Sequence, residues 1–159
     1  MDTSIMAALG NDLGTVETIQ YIVISIGGEQ YGIDIKYVDN IIRMTKITRV
    51  PDVQHYFEGV INLRGEVVPV MSLRKKADLP VVDITDESRI VIVKLENNAP
   101  VGIIVDSVKE VVTLPTTSIE SANKNSKKTQ VTFLSGIGKF ENRLISLLDL
   151  NAVIAEDAV

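Results

Sequence analysis

The sequence predicts a mainly β fold made of two small β-barrels packed together. Short apolar segments recur along the chain at hairpin spacing and are separated by polar turns, several of which contain glycine. In addition, the second half of the chain repeats the pattern of apolar residues and glycines found in the first half. Two similar halves of short strands are typical of paired barrels.

The first predicted strand covers residues 19–26 and is apolar on both faces, so we expect it to be buried on both sides. Gly27-Gly28 follows as a hairpin signal, because glycine adopts a positive φ without steric penalty. Residues 31–35 return as the second strand. The next apolar residues follow helical spacing, which predicts a short helical turn: Ile35, Val38, Ile41 and Ile42.

Val50-Pro51 ends regular structure, and a second hairpin is predicted after it. Its strands are residues 59–63 and 67–73, with Arg64-Gly65-Glu66 at the bend. Residues 74–88 are polar, contain a proline and are predicted to form a linker.

A third hairpin is predicted from residues 90–95 and 101–105, and Asp106 is placed as the N-cap of a helical turn that continues through Val111. A polar loop is expected at 118–130.

The last predicted hairpin joins residues 131–137 to residues 144–148 and ends in a short helical tail.

The internal repeat has two blocks with different offsets. Tyr31-Gly32-Ile33 recurs as Val101-Gly102-Ile103, 70 positions later. Gly59-Val60-Ile61 recurs as Gly136-Ile137-Gly138, 77 positions later. The larger second offset predicts a longer loop between the two blocks of the second half.

The predicted domain organisation follows from this pattern. Residues 1–17 are expected to be a flexible lead-in, residues 18–152 a single domain, and residues 153–159 a tail. Within the domain, the two subdomains are predicted at approximately 18–85 and 86–150, with strands that can be exchanged between them.

Composition excludes several classes of function. The net charge of −5 disfavours a nucleic-acid binder, which normally presents a basic surface to phosphate. The basic clusters Arg74-Lys75-Lys76 and 124–128 are interpreted as solvated loops. The chain contains no cysteine, which excludes disulfides and thiolate chemistry and agrees with a reducing cytoplasm. We expect neither a membrane span nor a secretory signal.

No catalytic constellation emerges from the remaining residues. His55 is the single histidine, so a histidine-rich zinc site cannot form. Asp34 and Asp106 fall near equivalent places in the repeat, but they are offset by two positions and neither begins an Asp-Thr-Gly motif. We therefore predict no enzyme activity, no metal and no cofactor, and an interaction module instead.

Four blocks of residues, in order along the chain, resemble the signatures of one family. They are Tyr31-Gly32-Ile33-Asp34-Ile35 with Val38 and Ile41; Val50-Pro51, Gly59-Val60-Ile61-Asn62-Leu63-Arg64-Gly65, Val68-Pro69-Val70 and Leu73-Arg74; Val101-Gly102-Ile103-Ile104-Val105-Asp106 with Val108 and Val111; and Leu134-Ser135-Gly136-Ile137-Gly138. The family is that of the CheW chemotaxis coupling proteins, and the similarity covers residues 18–152.

The resemblance implies two SH3-like five-stranded β-barrel subdomains packed on a shared hydrophobic core, with short helices. It also implies a non-enzymatic adaptor that couples methyl-accepting chemotaxis receptors to the histidine kinase CheA. The adaptor would bind the cytoplasmic tip of the receptors and the CheW-like regulatory domain of the kinase. It would be a monomer in isolation, cytoplasmic, and recruited to the inner face of the membrane through receptor arrays without inserting into it.

The resemblance also assigns site residues. A groove between the subdomains would hold the receptor, and its residues here are Val38, Asn40, Gly59, Arg64, Val108 and Val111. The kinase contact maps to Ile90, Val91, Ile92 and Val101. One position departs from the family, because Asn40 stands where glutamate is frequent, and this change bears on receptor specificity.

Each assigned residue also has a structural interpretation, and both stay open at this stage. The three valines of the groove can be core residues, and Gly59 can serve backbone shape alone. Arg64 is the strongest candidate for a partner contact, because its planar guanidinium at a hairpin bend suits a carboxylate on another protein. Its alternative is a structural ion pair.

Three other functions are weighed against the coupling role. They are a CheW-type scaffold of a non-flagellar chemosensory pathway, a barrel that binds a small molecule, and an enzyme.

Overall fold

The computed structural model describes residues 16–96, 99–121 and 133–155. Its strands, in chain order, are β1 (Thr18–Ile26), β2 (Glu29–Asp34), β3 (Val38–Arg43), β4 (Phe57–Leu63), β5 (Glu66–Ser72), β6 (Arg89–Val93), β7 (Val101–Val105), β8 (Ser107–Pro115), β9 (Ile119–Ser121), β10 (Leu134–Phe140) and β11 (Arg143–Leu148). Two short helices follow hairpins, α1 (Leu73–Lys76) and α2 (Leu150–Ile154), and two 3-10 turns lie at Ile35–Tyr37 and Thr116–Ser118.

The strands form two sheets that are arranged alike. The five-stranded sheet has the order β3-β6-β7-β5-β4, and the six-stranded sheet has the order β8-β1-β2-β11-β10-β9. Under the internal repeat, β3 corresponds to β8, β6 and β7 to β1 and β2, and β4 and β5 to β10 and β11. The repeat in the sequence is therefore a repeat of sheet topology, and among the described residues β9 is the one additional strand.

Both sheets curl back on themselves, although neither strand ladder closes fully. In the five-stranded sheet, Thr48 bridges to Val60 of the opposite edge strand, each backbone N–H donating to the other's carbonyl at 2.8 Å. In the six-stranded sheet, the chain runs from one edge strand, β8, through the 3-10 turn at Thr116–Ser118 into the other edge strand, β9.

The sheets do not divide the chain near residue 85. The first hairpin, β1-β2, lies in the sheet with β8 to β11, and the hairpin β6-β7 lies in the sheet with β3 to β5. Each sheet therefore takes one hairpin from the other half of the chain.

Three apolar cores hold this arrangement together. One lies inside the six-stranded sheet and includes Tyr21 and Val23 of β1. A second lies inside the five-stranded sheet and includes Ile90 and Ile92. The third lies between the sheets, and it receives the other face of β1 together with both short helices; its β1 members are Ile22, Ile24 and Ile26.

These cores confirm the predicted mainly β fold with two packed β units and a shared core. They also explain why β1 is apolar on both faces, since one face fills its own sheet's core and the other fills the core between the sheets.

The helical turns predicted after β2 and after β7 are wrong for most of their residues. Only Ile35–Tyr37 forms a turn of 3-10 helix, and residues 38–43 are strand β3; likewise residues 107–115 are strand β8 rather than a turn capped by Asp106. Each strand carries a β-bulge, at Asp39 in β3 and at Lys109 in β8. A bulge interrupts the alternation of a strand, so its apolar residues fall three and four apart as in a helix.

Two predicted loops also contain regular structure. The stretch predicted as a linker at 74–88 begins within α1, and the predicted loop at 118–130 contains β9 at its start. The cluster at 124–128, most of the lead-in at 1–17 and residues 156–159 of the tail lie outside the described residues.

Candidate functional site

Four of the six predicted receptor-binding residues lie on the two strands that the repeat relates, β3 and β8. Val38 and Asn40 belong to β3, and Val108 and Val111 belong to β8. Val38 and Val108 are half-buried and both pack against the core between the sheets. Val111 is 51 % exposed. The predicted groove residues thus include a matched pair at the rim of the inter-sheet core.

Asn40 is half-buried and already has a hydrogen-bond partner. Its Oδ1 accepts a hydrogen bond from the backbone N–H of Ile41 at 2.8 Å, next to the bulge at Asp39. This bond satisfies a polar group of an edge strand, which would otherwise be open to pairing with another chain.

Gly59 is buried in β4, where the chain passes very close to another backbone segment. Its φ is +144°, and a Cβ at this position would lie 2.1 Å from the carbonyl oxygen of Thr48. The repeat-related Gly136 shows the same close approach, with a Cβ 2.6 Å from the carbonyl oxygen of Glu120. The repeated glycine therefore lets each sheet curl until its edge segments meet.

Arg64 is exposed at the β4-β5 bend, as predicted. Its φ is +52°, and the repeat-related Glu141 at the β10-β11 bend has a φ of +56°. Since the same backbone geometry is built there with a glutamate, the bend does not require an arginine. The Arg64 Nη2 lies 3.4 Å from an Asp39 carboxylate oxygen, and the two side chains are 68 % and 45 % exposed.

The predicted kinase-binding residues lie mostly inside the molecule. Ile90, Val91 and Ile92 are 0 % exposed, on a strand with a neighbour on each side. Ile90 and Ile92 fill the core of the five-stranded sheet, and Val91 fills the core between the sheets. Their side chains offer no surface to a partner in this conformation. Val101 is half-buried at the start of β7.

A half-buried ion pair joins Arg74 to Asp106, and the sequence did not reveal it. Arg74 Nη2 and Nε donate hydrogen bonds to the two carboxylate oxygens at 2.7 and 3.0 Å, and the side chains are only 15 % and 30 % exposed. The prediction of a solvated basic cluster is thus wrong for Arg74. The available signal was its position beside Leu73, at the end of the second family signature, which separates it from an ordinary surface cluster. The two lysines that follow it obscured that signal.

Asp106 has two further contacts, and the one at its carboxylate bears on its ionisation. Its carboxylate accepts a hydrogen bond from the Gly27 N–H at 2.9 Å, and its own N–H donates to the Ser25 carbonyl at 3.0 Å. The hydrogen bond from Arg74 lowers the pKa of Asp106, the Gly27 N–H adds to that effect, and burial opposes it. The same pair raises the pKa of Arg74. Asp34, in contrast, accepts a hydrogen bond from the Lys36 N–H and caps the 3-10 turn.

Because the pKa of Asp106 is lower in the folded chain than its ordinary value of 3.8, its carboxylate stabilises the fold above that value. That contribution is lost as the pH falls through the lowered pKa. We therefore expect Asp106→Asn to cost about 1.5 kcal/mol at neutral pH, and the cost to shrink below about pH 4. Urea unfolding of both chains from about pH 7 to about pH 3 measures it. A cost independent of pH would contradict this account.

Two general features bear on function. Within residues 16–96, 99–121 and 133–155, no group of three or more histidine, aspartate and glutamate side chains could hold a metal ion. Over the same residues, no helix has both the length and the apolar character needed to cross a membrane.

Comparison with known proteins identifies relatives along nearly the whole chain. The family model of the CheW-like domain matches residues 20–158. The chemotaxis protein CheW of Bacillus subtilis (strain 168) is 42 % identical over 86 % of this chain and 87 % of its own length. The chemotaxis protein CheW of Thermotoga maritima is 30 % identical over 97 % of both chains.

A solved structure agrees with the fold as well. The scaffolding protein TtCheW from Thermoanaerobacter tengcongensis superposes with a TM-score of 0.77 and 32 % identity, covering 83 % of this chain and 89 % of that one. This chain belongs to the CheW-like domain family.

Proposed function

We propose that this protein is a non-enzymatic adaptor that couples methyl-accepting chemotaxis receptors to the histidine kinase CheA. The observation that carries the proposal is the similarity to CheW chemotaxis proteins over most of the chain, at up to 42 % identity among the relatives compared. The adaptor acts by position. It holds the receptor and the kinase in one complex. A change in receptor conformation then alters the affinity of the complex for one kinase state relative to the other.

The receptor side of the proposal is supported by the matched strands β3 and β8. Val38 and Val108 are half-buried at the inter-sheet core and offer an apolar surface to a helical receptor tip. Arg64 provides an exposed cation on the same sheet as Val38. Its ion pair with Asp39 is long and exposed, so the guanidinium can leave Asp39 and bind a carboxylate of the receptor instead. Asn40 is uncharged and already bonded to backbone, so its contact with a receptor would be weaker than that of a glutamate.

The kinase side is proposed on the sheet that carries β6 and β7. Val101 lies half-buried at the start of β7 and can touch a partner. Ile90, Val91 and Ile92 would act indirectly, by holding the shape of this hairpin from inside. The proposed location, at the cytoplasmic face of the membrane within receptor arrays, follows from the two partners.

The direct test is a reconstitution from purified components of the source organism. The chain is mixed with a cytoplasmic receptor fragment and with the kinase, and co-sedimentation and kinase activity are measured. We expect a ternary complex and a receptor-dependent change in kinase activity. Failure to bind either partner would overturn the proposal. Binding only to the receptors and the kinase of a non-flagellar chemosensory pathway would instead assign the adaptor to that pathway.

Substitution of Arg64 separates partner binding from stability. We expect Arg64→Ala to weaken association with the receptor fragment or the kinase by about tenfold or more, because an arginine at an interface is a frequent hot spot. Its free energy of unfolding should change by less than about 1 kcal/mol, since an exposed ion pair contributes little. Titration calorimetry and urea unfolding measure the two quantities.

The matched control is Glu141→Ala, which changes the repeat-related bend with the same backbone conformation. This control should leave both quantities nearly unchanged. Unchanged binding together with a large loss of stability in Arg64→Ala would assign Arg64 to the fold instead.

A further inference from the structure

Arg74 and Asp106 connect segments of both sheets at one place on the inter-sheet core. Arg74 lies in α1, directly after β5 of the five-stranded sheet. Asp106 lies between β7 of that sheet and β8 of the six-stranded sheet, and its carboxylate also holds the Gly27 N–H in the β1-β2 turn. Arg74 Nη1 donates a further hydrogen bond, to the Pro80 carbonyl at 2.6 Å. The Arg74 guanidinium thus links α1 to the β7-β8 junction and to the segment after α1.

The internal repeat has no equivalent of this ion pair. Arg74 corresponds to Asn151 at the offset of 77, and Asp106 corresponds to Lys36 at the offset of 70. An asparagine and a lysine cannot form a charge-assisted bidentate pair. Lys36 instead lies 3.9 Å from Asp34, with its side chain 65 % exposed. Two sheets that are otherwise arranged alike are therefore fixed to each other by this ion pair at one end only.

From this asymmetry we infer that Arg74 and Asp106 form a one-sided clamp that fixes the angle between the two sheets, and with it the position of β8 relative to β3, the strands that carry Val108 and Val38. Asp106 lies directly before β8, two residues from Val108, so the clamp holds the start of that strand. The side that carries β3 begins next to Lys36, where no such pair can form. Arg74 is thus a positioning residue for β8.

The inference rests on the proposed function only in naming a receptor as the partner of β3 and β8. The angle between the sheets can be measured without any partner, so a failure of the clamp and a failure of the coupling role give different results. The chain is suited to this measurement because it has no cysteine of its own.

The experiment measures distances between two spin labels, attached through Val67→Cys on β5 and Leu144→Cys on β11. These repeat-related positions lie on different sheets and are 64 % and 69 % exposed. Pulsed electron resonance should give one narrow distance distribution for the labelled parent chain. Adding Arg74→Leu should broaden or split the distribution, and Arg74→Lys, which keeps the charge but not the bidentate fork, should fall between the two.

The matched control is Lys75→Leu. Lys75 neighbours Arg74 and forms an ion pair of 2.9 Å with Glu58, and the two side chains are 28 % and 24 % exposed. This ion pair does not link the two sheets, because Glu58 lies in β4 and Lys75 in α1, which follows β5 of the same sheet. This control should keep the narrow distribution. If Arg74→Leu does not fold, Asp106→Asn replaces it, with the same broadening expected.

Two results would overturn the clamp. One is a distribution as narrow as the parent's in both the Arg74 and the Asp106 variants. The other is equal broadening in Lys75→Leu, which would reflect a general loss of stability. With the clamp supported, receptor-fragment affinity should fall in Arg74→Leu and not in Lys75→Leu.

Discussion

Gly59→Ala should destabilise the protein by about 4 kcal/mol, the sum of a strained backbone conformation and an overpacked contact. The new methyl group would lie 2.1 Å from the carbonyl oxygen of Thr48 and 3.0 Å from the Cα of Arg49. These atoms are backbone and cannot rotate away. Moving them would break the two hydrogen bonds between Thr48 and Val60 that bring the sheet edges together. Urea unfolding followed by circular dichroism measures the loss.

Gly65→Ala isolates the backbone part of this cost. Gly65 also has a positive φ, +82°, but a Cβ there meets nothing within 4 Å. We expect a loss of about 1 kcal/mol from conformational strain alone. If Gly59→Ala cost no more than Gly65→Ala, the close approach of β4 to Thr48 would not be a tight contact, and the glycine would have to be explained by a partner.

Ile92→Ala should cost about 3 to 4 kcal/mol, because it removes three carbon atoms from the core of the five-stranded sheet. Ile92 is 0 % exposed and packs in one cluster with Ile61, Val68, Val70 and Ile90. Leu144→Ala is the control. It also truncates an apolar strand residue, but that residue is 69 % exposed, so the change should stay within about 0.5 kcal/mol.

The same position tests how β6 contributes to kinase binding. Ile92→Val removes one methylene and should cost about 1 kcal/mol, leaving the protein folded. If Ile92 acts by supporting the hairpin, Ile92→Val should bind the kinase like the parent chain. A folded Ile92→Val protein that no longer binds the kinase would instead mean that this side chain reaches the partner directly.

The periodic parts of the fold could be predicted because local chemistry determines them. Strand β1 is apolar on both faces, Gly27 and Gly28 adopt a positive φ in the first turn, and Arg64-Gly65 forms the second bend. The repeat was also visible, since Gly32 and Gly102 have no room for a side chain. A Cβ there would lie 2.9 Å from Leu147 and 2.8 Å from Ile90, respectively.

The rest depends on contacts that are distant in the sequence. The bulges at Asp39 and Lys109 change the spacing of apolar residues without any local signal, so β3 and β8 resembled helical turns. Arg74 looked solvated because its partner is 32 positions away. The kinase contact is predicted from the resemblance, which places it on the second subdomain, and such a resemblance does not distinguish a buried strand from an exposed one.

The exchange of hairpins between the sheets has a consequence for synthesis on the ribosome. Every strand of the five-stranded sheet lies between residues 38 and 105, so that sheet can assemble while the last third of the chain is still being made. The first hairpin can pair within itself, but it cannot join its sheet so early, because β2 pairs in parallel with β11 through Tyr31 with Ser146 and Gly32 with Leu147. Such distant pairing is slow to form. The first strands to leave the ribosome are therefore among the last to be buried, and their two apolar faces make the nascent chain vulnerable to aggregation until synthesis is nearly finished.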